Sequence, residues 1–452
     1  MPAELSGLER LLRPRGPTGL AEVATALGCT TKTVQRLIAS AGDAVVAAGQ
    51  TRRRRIAWAR PVRGLLLDLP VYRIDAQGRP QQVARLRPVW PQGCLVEATT
   101  PPWPAPDEAR DGWYGGLPYP LYDMRPQGFL GRAFARHHAR VLTLPSDPRE
   151  WDDDSILLGL SAEGDDLPGD LLLGDAALRR FLGRRMQSAV AATDRELAGL
   201  YVAGASSALD GGSAGSSAAG EFPKFLTTRS LPGAATPEVI VKFSGADDSS
   251  TAQRWRDLLV CEHLAGEALG SDAARTRLLA FAGRHYLESE RFDRIGMHGR
   301  RGVISLECAN AGLVGEPTND WTRVATALSR LGLLPAVDLQ RVAERQVFGR
   351  LIGNSDMHGG NLGFFVEPAG FSLAPSYDQL PMRYAPQPGG DVAAPPLTPE
   401  LPLPAEREHW QRMAPRALDF WRAASADARI SEPFRSLCAR NADALGRAIE
   451  LA

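Results

Sequence analysis

One nine-residue stretch constrains the fold of this chain more than any other part of the sequence. It runs from Gly353 to Asn361 as GNSDMHGGN, and Asp378 follows seventeen residues after Asn361. Small residues separate Asp356 from Asn361, and the run LGFFV predicts a strand between this loop and Asp378. A polar loop that leads into an apolar strand, beside segments with helical periodicity, predicts a mixed α+β fold.

Phosphoryl transfer requires this set of side chains. Asp356 would orient the attacking hydroxyl group and accept its proton, while Asn361 and Asp378 would hold the Mg²⁺ ions that bridge the phosphates of ATP. The spacing matches the Asp-x4-Asn of a kinase catalytic loop and its later metal-binding Asp. However, His358 follows Asp356 instead of preceding it, and no Phe-Gly follows Asp378. The pattern therefore predicts a kinase-like site of a divergent kind.

Length and composition predict two or three domains without a membrane segment. The 452 residues exceed what a single hydrophobic core usually supports, and no apolar run is long enough to span a membrane. The five cysteines occur singly, with no CxxC pair. This spacing argues against a disulfide framework or a structural zinc site and favours a reducing compartment. We therefore expect a cytoplasmic protein.

The first 62 residues predict a small basic domain. The formal net charge of the chain is zero, yet residues 1–63 contain 11 Lys and Arg against 4 acidic residues. Apolar periodicity predicts helices at 19–27, with Thr18 as N-cap, and at 32–41, followed by two short strands. This order is typical of a winged helix-turn-helix, whose second helix enters the major groove of DNA. The expected DNA-binding residues lie on that helix and in the wing: Lys32, Thr33, Gln35, Arg36, Arg52, Arg53, Arg54 and Arg55. A helical packing module with solvated arginines is the alternative.

Lysine is rare in this chain and marks positions of interest. Of the 52 basic residues 49 are arginines, and the lysines are Lys32, Lys224 and Lys242. Lys242 lies in the run VIVKF, which predicts a strand, and alternation places its side chain opposite Val241 and Phe243. A lysine in such a strand can reach the α and β phosphates of ATP. A water-facing lysine on an edge strand is the alternative.

Three further segments fit the same chemistry. The Gly/Ser-rich stretch 204–220 precedes Lys224; such stretches are commonly linkers, but between strands their N–H groups can bind phosphates. The predicted helix 254–269 contains Glu262, which would pair with the strand lysine, although periodicity alone favours an exposed glutamate. The run ERFDR at 290–294 falls where a kinase hinge would contact adenine through its backbone.

Together these motifs resemble the HipA family of bacterial serine/threonine protein kinases, which are toxins of type II toxin–antitoxin systems. The resemblance covers roughly residues 65–450 and is closest to the YjjJ (HipH)-like subgroup, which carries its own N-terminal DNA-binding domain. It implies a winged helix-turn-helix at 1–62, then a bilobal kinase fold with a β-rich N-lobe at 63–292 and a helical C-lobe at 293–452. It rests on GNSDMHGGN, ERFDR, Tyr377-Asp378 and SSAAGEFPKF at 216–225.

The resemblance also implies roles for individual residues. Asp356 is implied as the catalytic Asp, and Asn361 and Asp378 as magnesium ligands. The implied ATP-binding residues are Lys242 for phosphate, the backbones of Glu290 and Phe292 for adenine, and Ser217, Gly220 and Lys224 around the glycine-rich loop. In the family a serine of this loop is autophosphorylated, which inactivates the kinase; Ser217 is the first candidate here and Ser216 the second. The family loop usually carries a Gln where this chain has Phe222.

The leading hypothesis is an ATP- and Mg²⁺-dependent protein kinase with a DNA-binding domain that regulates its own promoter or binds an antitoxin. The family phosphorylates aminoacyl-tRNA synthetases, which are one expected class of substrate, and winged-helix proteins often form homodimers on palindromic DNA. Two alternatives are a DNA-binding regulator with a degenerate kinase fold and a small-molecule phosphotransferase. A third is a metal hydrolase or nuclease built on Asp356, His358 and Asp378.

Overall fold

The computed structural model describes residues 4–109, 111–185, 194–210, 222–230, 233–367, 369–387, 389–392, 394–395 and 397–452. Their helices are, in chain order, α1 (Leu5–Arg15), α2 (Leu20–Ala26), α3 (Thr31–Ala41), α4 (Tyr119–Asp123), α5 (Gly128–Leu142), α6 (Asp153–Glu163), α7 (Gly174–Arg185), α8 (Asp194–Asp210), α9 (Ser250–Leu269), α10 (Leu306–Ala309), α11 (Trp321–Arg330), α12 (Ala336–Leu351), α13 (Arg407–Ala426) and α14 (Glu432–Leu451). The strands are β1 (Thr18–Gly19), β2 (Val45–Ala48), β3 (Arg55–Trp58), β4 (Pro61–Val62), β5 (Leu65–Leu66), β6 (Leu69–Ile74), β7 (Pro80–Pro88), β8 (Cys94–Glu97), β9 (Trp113–Tyr114), β10 (Leu171–Leu173), β11 (Lys224–Thr228), β12 (Glu238–Phe243), β13 (Thr276–Phe281), β14 (Arg284–Glu290), β15 (Arg294–Ile295), β16 (Gly299–Arg300), β17 (Val303–Ser305), β18 (Gly363–Glu367) and β19 (Gly370–Leu373). This mixture of helix and sheet confirms the predicted α+β class.

The chain divides into two compact units that interleave in sequence. The first contains Met1–Asp75, Arg79–Arg125 and Glu150–Met186, and the second contains Ala76–Gly78, Pro126–Arg149 and Gln187–Ala452. Within the described ranges, no helix has the length and apolarity that crossing a membrane requires.

The N-terminal part of the first unit packs three helices against a small sheet with the strand order β1-β3-β2. Leu8 of α1, Val23 of α2 and Val34 of α3 are buried in one cluster with Ile56 of β3. Thr30 caps α3, because its Oγ1 accepts a hydrogen bond from an N–H of the first turn. These contacts hold α3 on the sheet with its other face in solvent.

The prediction that Thr18 is the N-cap of the preceding helix is wrong. Helix α2 begins at Leu20 with Gly19 as its N-cap, and no side chain caps it. Thr18 instead pairs with Ile56 in the sheet, and its Oγ1 donates to the carbonyl of Gly16 at 2.9 Å. The pairing with β3 thus places Thr18 in a strand, one residue before the N-cap position.

The first unit also contains a five-stranded antiparallel sheet with the order β10-β6-β7-β8-β9. Val46 and Ala57 of the N-terminal sheet are buried against Val89, Leu95 and Trp113 of this larger sheet. The hairpin β2–β3 is therefore covered on both faces, which removes water from its apolar side chains and stabilises its position.

In the second unit, a four-stranded antiparallel sheet with the order β11-β12-β14-β13 frames the candidate site. One face packs on α8, where Val241, Phe243 and Tyr286 meet Tyr201. The opposite face packs on α9, where Leu287 joins a large cluster of buried residues. Because side chains alternate along a strand, Lys242 lies on the α9 face.

The helices α9, α12, α13 and α14 enclose that cluster. Phe348, Trp421 and Phe434 are among its bulky members, and the indole N–H of Trp421 donates to the carbonyl of Leu351 at 3.1 Å. A three-stranded sheet has the order β17-β18-β19, and β18 and β19 follow α12 in the chain. The GNSDMHGGN loop therefore runs from the end of a buried helix to the first residue of a strand, so both of its ends are anchored.

Candidate active site

The GNSDMHGGN loop is held by its own amide side chains. The N–H of Asp356 donates to Oδ1 of Asn354 at 3.1 Å, and Nδ2 of Asn361 donates to the carbonyl of Asp356 at 2.7 Å. Asn354 and Asn361 are buried, whereas the side chain of Asp356 is exposed. The loop thus presents one carboxylate to solvent on a backbone that two buried amides fix.

Asn354 also connects this loop to Asp378. Its Nδ2 donates to the carbonyl of Asp378 at 3.2 Å and lies 3.4 Å from Oε1 of Gln379. Asp378 has a φ of +53°, in the left-handed region that is uncommon for residues other than glycine. Such strain persists only where neighbouring contacts maintain it, and it concentrates at functional sites.

Lys242 lies between two carboxylates. Its Nζ is 2.6 Å from Oε1 and 2.8 Å from Oε2 of Glu262 on α9, and it also contacts Oδ1 of Asp378. The side chains of Lys242 and Glu262 are 9% and 8% exposed, and that of Asp378 is 29% exposed. A strand, a helix and the segment after β19 therefore meet at one ammonium group.

The charges of this cluster shift one another's pKa values. Burial opposes a charged ammonium, but the Asp378 and Glu262 carboxylates outweigh burial and raise the pKa of Lys242. Burial would raise the pKa of Asp378, yet the positive charges of Lys242 and Lys224 lower it to about 2. For Glu262, burial is the larger influence and raises its pKa. Lys242 and Asp378 are thus both charged at neutral pH.

A second lysine and an aromatic pair stand beside the cluster. Lys224 of β11 is directly opposite Lys242 of β12 in the antiparallel register, so both side chains share one face. Phe222, just before β11, is buried and packs edge-on against Trp255 with 4.6 Å between ring centroids. The ammonium of Lys242 lies 5.8 Å from the Phe222 ring centroid, within cation–π range. Phe222 therefore contributes both packing and electrostatic contact.

The segment that carries Asp378 is tied to the end of α9. Ser376 forms a parallel bridge with Ala273, in which its N–H donates to the carbonyl of Asp272 at 2.7 Å. Arg345 of α12 is buried and donates to the carbonyls of Ala374 at 2.6 Å and Asp272 at 3.0 Å. One guanidinium group thus joins both sides of this bridge.

His358 shapes the loop. Its Nδ1 accepts a hydrogen bond from the N–H of Gly360 at 3.0 Å, and its carbonyl accepts one from the indole of Trp321 at 3.1 Å. Across the described ranges, no group of three or more His, Cys, Asp and Glu side chains is arranged to hold a metal ion. His358 thus fixes the loop through its ring and its carbonyl.

The ERFDR segment at 290–294 is held by buried ion pairs. Arg291 and Arg294 both pair with Asp293 and with Glu238 of β12, at distances from 2.6 to 3.3 Å. The N–H of Glu290 donates to the carbonyl of Arg275, and the N–H of Arg291 donates to that of Glu238. The N–H groups of residues 290 and 291 are therefore both occupied by backbone hydrogen bonds.

Phe292 is the residue of ERFDR that faces the catalytic segments. Its ring lies 5.6 Å from that of Tyr377, which immediately precedes Asp378, and 5.9 Å from that of Phe365 on β18. In the part of the chain that the structure describes, no hydrogen bond engages the backbone of Phe292. Of the two predicted adenine contacts, Phe292 thus keeps its backbone available, whereas the N–H of Glu290 is occupied.

The remaining predicted residues fall into two groups. Lys32, Gln35 and Arg36 are exposed on α3, with Thr33 partly buried beside them, and Arg53, Arg54 and Arg55 are exposed at the β2–β3 turn and the start of β3. The backbone of Arg52 lies in the same turn. The loop residues Ser216, Ser217 and Gly220 lie outside the described residues.

The sequence pattern does not indicate the buried contacts that two residues of the site make. Glu262 has the periodicity of an exposed residue, but it is buried against a lysine twenty positions earlier. Asn354 stands in the conspicuous loop motif, yet its contacts to Asp378 span twenty-four positions. The usable signal for Asn354 is a polar residue three positions after the apolar end of a helix.

The side-chain oxygens of Asp378 and Asn361 are of the type that magnesium prefers. Asn361 uses its amide NH₂ for a hydrogen bond within the loop, which leaves Oδ1 as its remaining oxygen ligand. Mg²⁺ is typically held by one or two protein oxygen ligands together with substrate phosphates and water. Asp378 and Asn361 supply that number and type of ligand without a larger cluster.

Comparison with known proteins shows the family to which this chain belongs. The family model described as HipA-like C-terminal domain matches residues 216–445, which places the chain's larger part in the HipA-like class. The model described as YjjJ-like toxin, middle domain, matches residues 66–182. The chain is 36% identical over 431 residues to Toxin YjjJ of Escherichia coli (strain K12), covering 94% of both chains. This chain therefore belongs to the YjjJ-like toxin family.

More distant similarities were also found. The chain is 25% identical over 201 residues to the putative kinase Y4mE of Sinorhizobium fredii, which covers 40% of this chain and 44% of that protein. The Shewanella oneidensis MR-1 HipA, solved with HipB and operator DNA, has a TM-score of 0.49 at 15% identity and covers 85% of this chain and 97% of its own. The Helicobacter pylori kinase CtkA has a TM-score of 0.36 at 15% identity, covering 51% and 92%.

The bridging role of Asn354 predicts a measurable loss of stability. Asn354→Ala removes the acceptor for the N–H of Asp356 and the donor to the carbonyl of Asp378. Leaving such groups unsatisfied in a buried setting costs about 1–3 kcal/mol, which urea unfolding would measure. The exposed neighbour Ser355 is the matched control, and Ser355→Ala should change the free energy of unfolding by less than about 0.5 kcal/mol. Equal effects of the two substitutions would contradict the bridge.

Proposed function

We propose that this chain is an ATP- and Mg²⁺-dependent serine/threonine protein kinase. The observation that carries the proposal is the meeting of Lys242, Glu262 and Asp378, with Nζ of Lys242 at 2.6 Å from Glu262. In protein kinases a strand lysine must pair with a helix glutamate, and a metal-binding Asp must be in place, before phosphoryl transfer occurs. The membership of residues 216–445 in the HipA-like class supports the same activity.

Each side chain has a role in this proposal. Asp356, exposed on its rigid loop, accepts the proton of the attacking hydroxyl group. Lys242 and Lys224 neutralise phosphate oxygens, and Glu262 keeps the Lys242 ammonium in position. Asn361 and Asp378 hold Mg²⁺, which when bound neutralises charge on the phosphates during transfer. Phe292 offers its backbone to the adenine ring.

The loop that contains Ser216 and Ser217 is the proposed site of self-inactivation. A phosphate there adds about 1.5 to 2 negative charges where the ATP phosphates bind, so transfer would be inhibited. The direct test incubates the purified chain with ATP and Mg²⁺ and maps phosphate by intact-mass and peptide mass spectrometry. Phosphate on either serine supports the kinase. No phosphate and no ATP binding by calorimetry would contradict it.

We further propose that residues 1–62 form a DNA-binding winged helix-turn-helix. Helices α2 and α3 meet at a tight turn, the β2–β3 hairpin follows as a wing, and Lys32, Gln35 and Arg36 are exposed on α3. A recognition helix presents such residues to the major groove, and wing arginines neutralise phosphates. The corresponding cellular role is regulation of its own promoter or capture of an antitoxin in the cytoplasm, and aminoacyl-tRNA synthetases remain one proposed substrate class.

The salt dependence of DNA binding tests this domain. Each phosphate contact that is lost reduces the slope of log K against log salt by about 1, so replacing two exposed wing arginines, Arg54→Ala with Arg55→Ala, should reduce it by about 2. Affinity for a duplex is measured by fluorescence anisotropy between about 50 and 200 mM salt. Over this range, affinity that depends on phosphate contacts falls strongly. Arg440→Ala, an exposed arginine of α14, is the control and should leave the slope unchanged. Equal slopes for all variants would exclude DNA binding through this face.

A further inference from the structure

A cavity of about 500 Å³ lies beside the catalytic loop. It is bounded by the end of α12, by Gly353, Asn354 and Ser355, and by the segment 397–406 that precedes α13. Ser355 is the direct chain neighbour of Asp356, so their Cα atoms are about 3.8 Å apart. The cavity therefore begins one residue away from the proposed acceptor of the hydroxyl proton.

The walls of the cavity are mainly apolar. Val347, Leu351, Leu397 and Trp410 line it, and the indole of Trp410 donates to the carbonyl of Glu400 at 3.1 Å, which holds the outer segment in place. At the rim, Leu401 is 52% exposed and Leu403 is 66% exposed. Pockets of about 300–1,000 Å³ with such walls are typical binding sites. Two exposed leucines on a concave rim favour an apolar occupant.

The charged side chains around the cavity exclude neither an acidic nor a basic peptide. Arg350 is neutralised by Glu406 at 2.9 Å. Arg383 and Glu400 are both exposed on the lining, and no ion pair engages either side chain among the described residues. A bound peptide can thus pair its charged residues with either group. The apolar side chains that line the cavity therefore decide which peptide residue binds there.

The position of the cavity next to Asp356 favours an occupant that is joined to the phosphorylated hydroxyl. That hydroxyl must come within about 2.6–3.2 Å of the Asp356 carboxylate. An extended peptide advances about 3.3–3.6 Å per residue, so residues one to three positions away from the hydroxyl reach the cavity mouth. We infer that the cavity binds a large apolar side chain of the protein substrate, one to three residues from the phosphorylated serine or threonine. This inference rests on the proposed kinase function.

A degenerate peptide library with one fixed serine tests the inference. The wild-type chain with ATP and Mg²⁺ should prefer Leu, Ile, Met or Phe at one position within three residues of the serine. Leu401→Asp with Leu403→Asp should reduce that preference by about tenfold or more, since a single apolar contact discriminates by about 10- to 200-fold. Leu331→Asp is the matched control, because Leu331 is 57% exposed outside the cavity.

The outcomes separate the two proposals. ATP binding and thermal stability should be the same in all variants, because the substituted leucines are at least half exposed. Transfer by the wild-type chain without any positional apolar preference would overturn the cavity assignment alone. A preference that survives in the double variant would also overturn it. No ATP binding and no transfer to any peptide by the wild-type chain would overturn the kinase proposal and the cavity assignment with it.

Discussion

An Asp356→Asn variant is expected to bind ATP with Mg²⁺ as the wild-type chain does and to lose phosphoryl transfer by about 10²- to 10⁴-fold. The amide has nearly the same shape as the carboxylate but cannot accept the proton of the attacking hydroxyl group. The backbone contacts of residue 356 to Asn354 and Asn361 do not involve its side chain. The loop should therefore keep its conformation, and single-turnover phosphate transfer measures the effect.

The control for this experiment is the same change at an unrelated exposed site. Asp419 lies on α13 with a side chain that is 74% exposed. Asp419→Asn should transfer phosphate at the wild-type rate, and both variants should unfold within about 0.5 kcal/mol of the wild-type chain. Transfer by Asp356→Asn at the wild-type rate would remove Asp356 from the mechanism and favour a different proton acceptor.

A Lys242→Met variant is expected to lose both ATP binding and stability. The substitution leaves the Glu262 and Asp378 carboxylates without their shared partner in a largely buried setting. Removing one member of a buried ion pair costs about 3–5 kcal/mol, which urea unfolding would detect as a large shift of the midpoint. Since Lys242 is also the proposed phosphate-binding group, calorimetry should find no ATP binding.

A second substitution separates the two effects. Adding Glu262→Gln to Lys242→Met removes one buried negative charge, so part of the lost stability should return while ATP binding stays absent. Lys224→Met is a useful comparison, because Lys224 occupies the same face of the neighbouring strand but is less buried. It should cost less stability than Lys242→Met. If the double variant were less stable than Lys242→Met, the buried carboxylate would not be the source of the destabilisation.

The parts of the site that local pattern determines could be read from the sequence. The GNSDMHGGN loop combines small residues and polar groups over nine positions, and the structure places it between a helix and a strand. The alternation around Lys242 depends only on its neighbours in β12. Helix α3 begins at Thr31, close to the predicted start, because its cap at Thr30 is a local interaction.

Contacts between distant segments could not be read in the same way. Glu262 is buried because β12 brings a lysine to it, and nothing within α9 indicates that partner. Thr18 has the residue type of a cap, but a strand some forty positions later pairs with it. The cavity beside Ser355 depends on the path of residues 397–406, a Pro-rich segment without helical or strand periodicity. Tertiary structure overrides propensity at each of these places.

The attachment of α9 has a mechanical consequence. This helix meets the site twice, through Glu262 at its middle and through the bridge between Ala273, just beyond its end, and Ser376. A helix held at two points cannot slide along its axis or roll without moving one of them. A displacement of this 20-residue helix would therefore move the partner of the strand lysine and the Asp378 segment together. Any force applied along α9 would reach both sides of the cluster together.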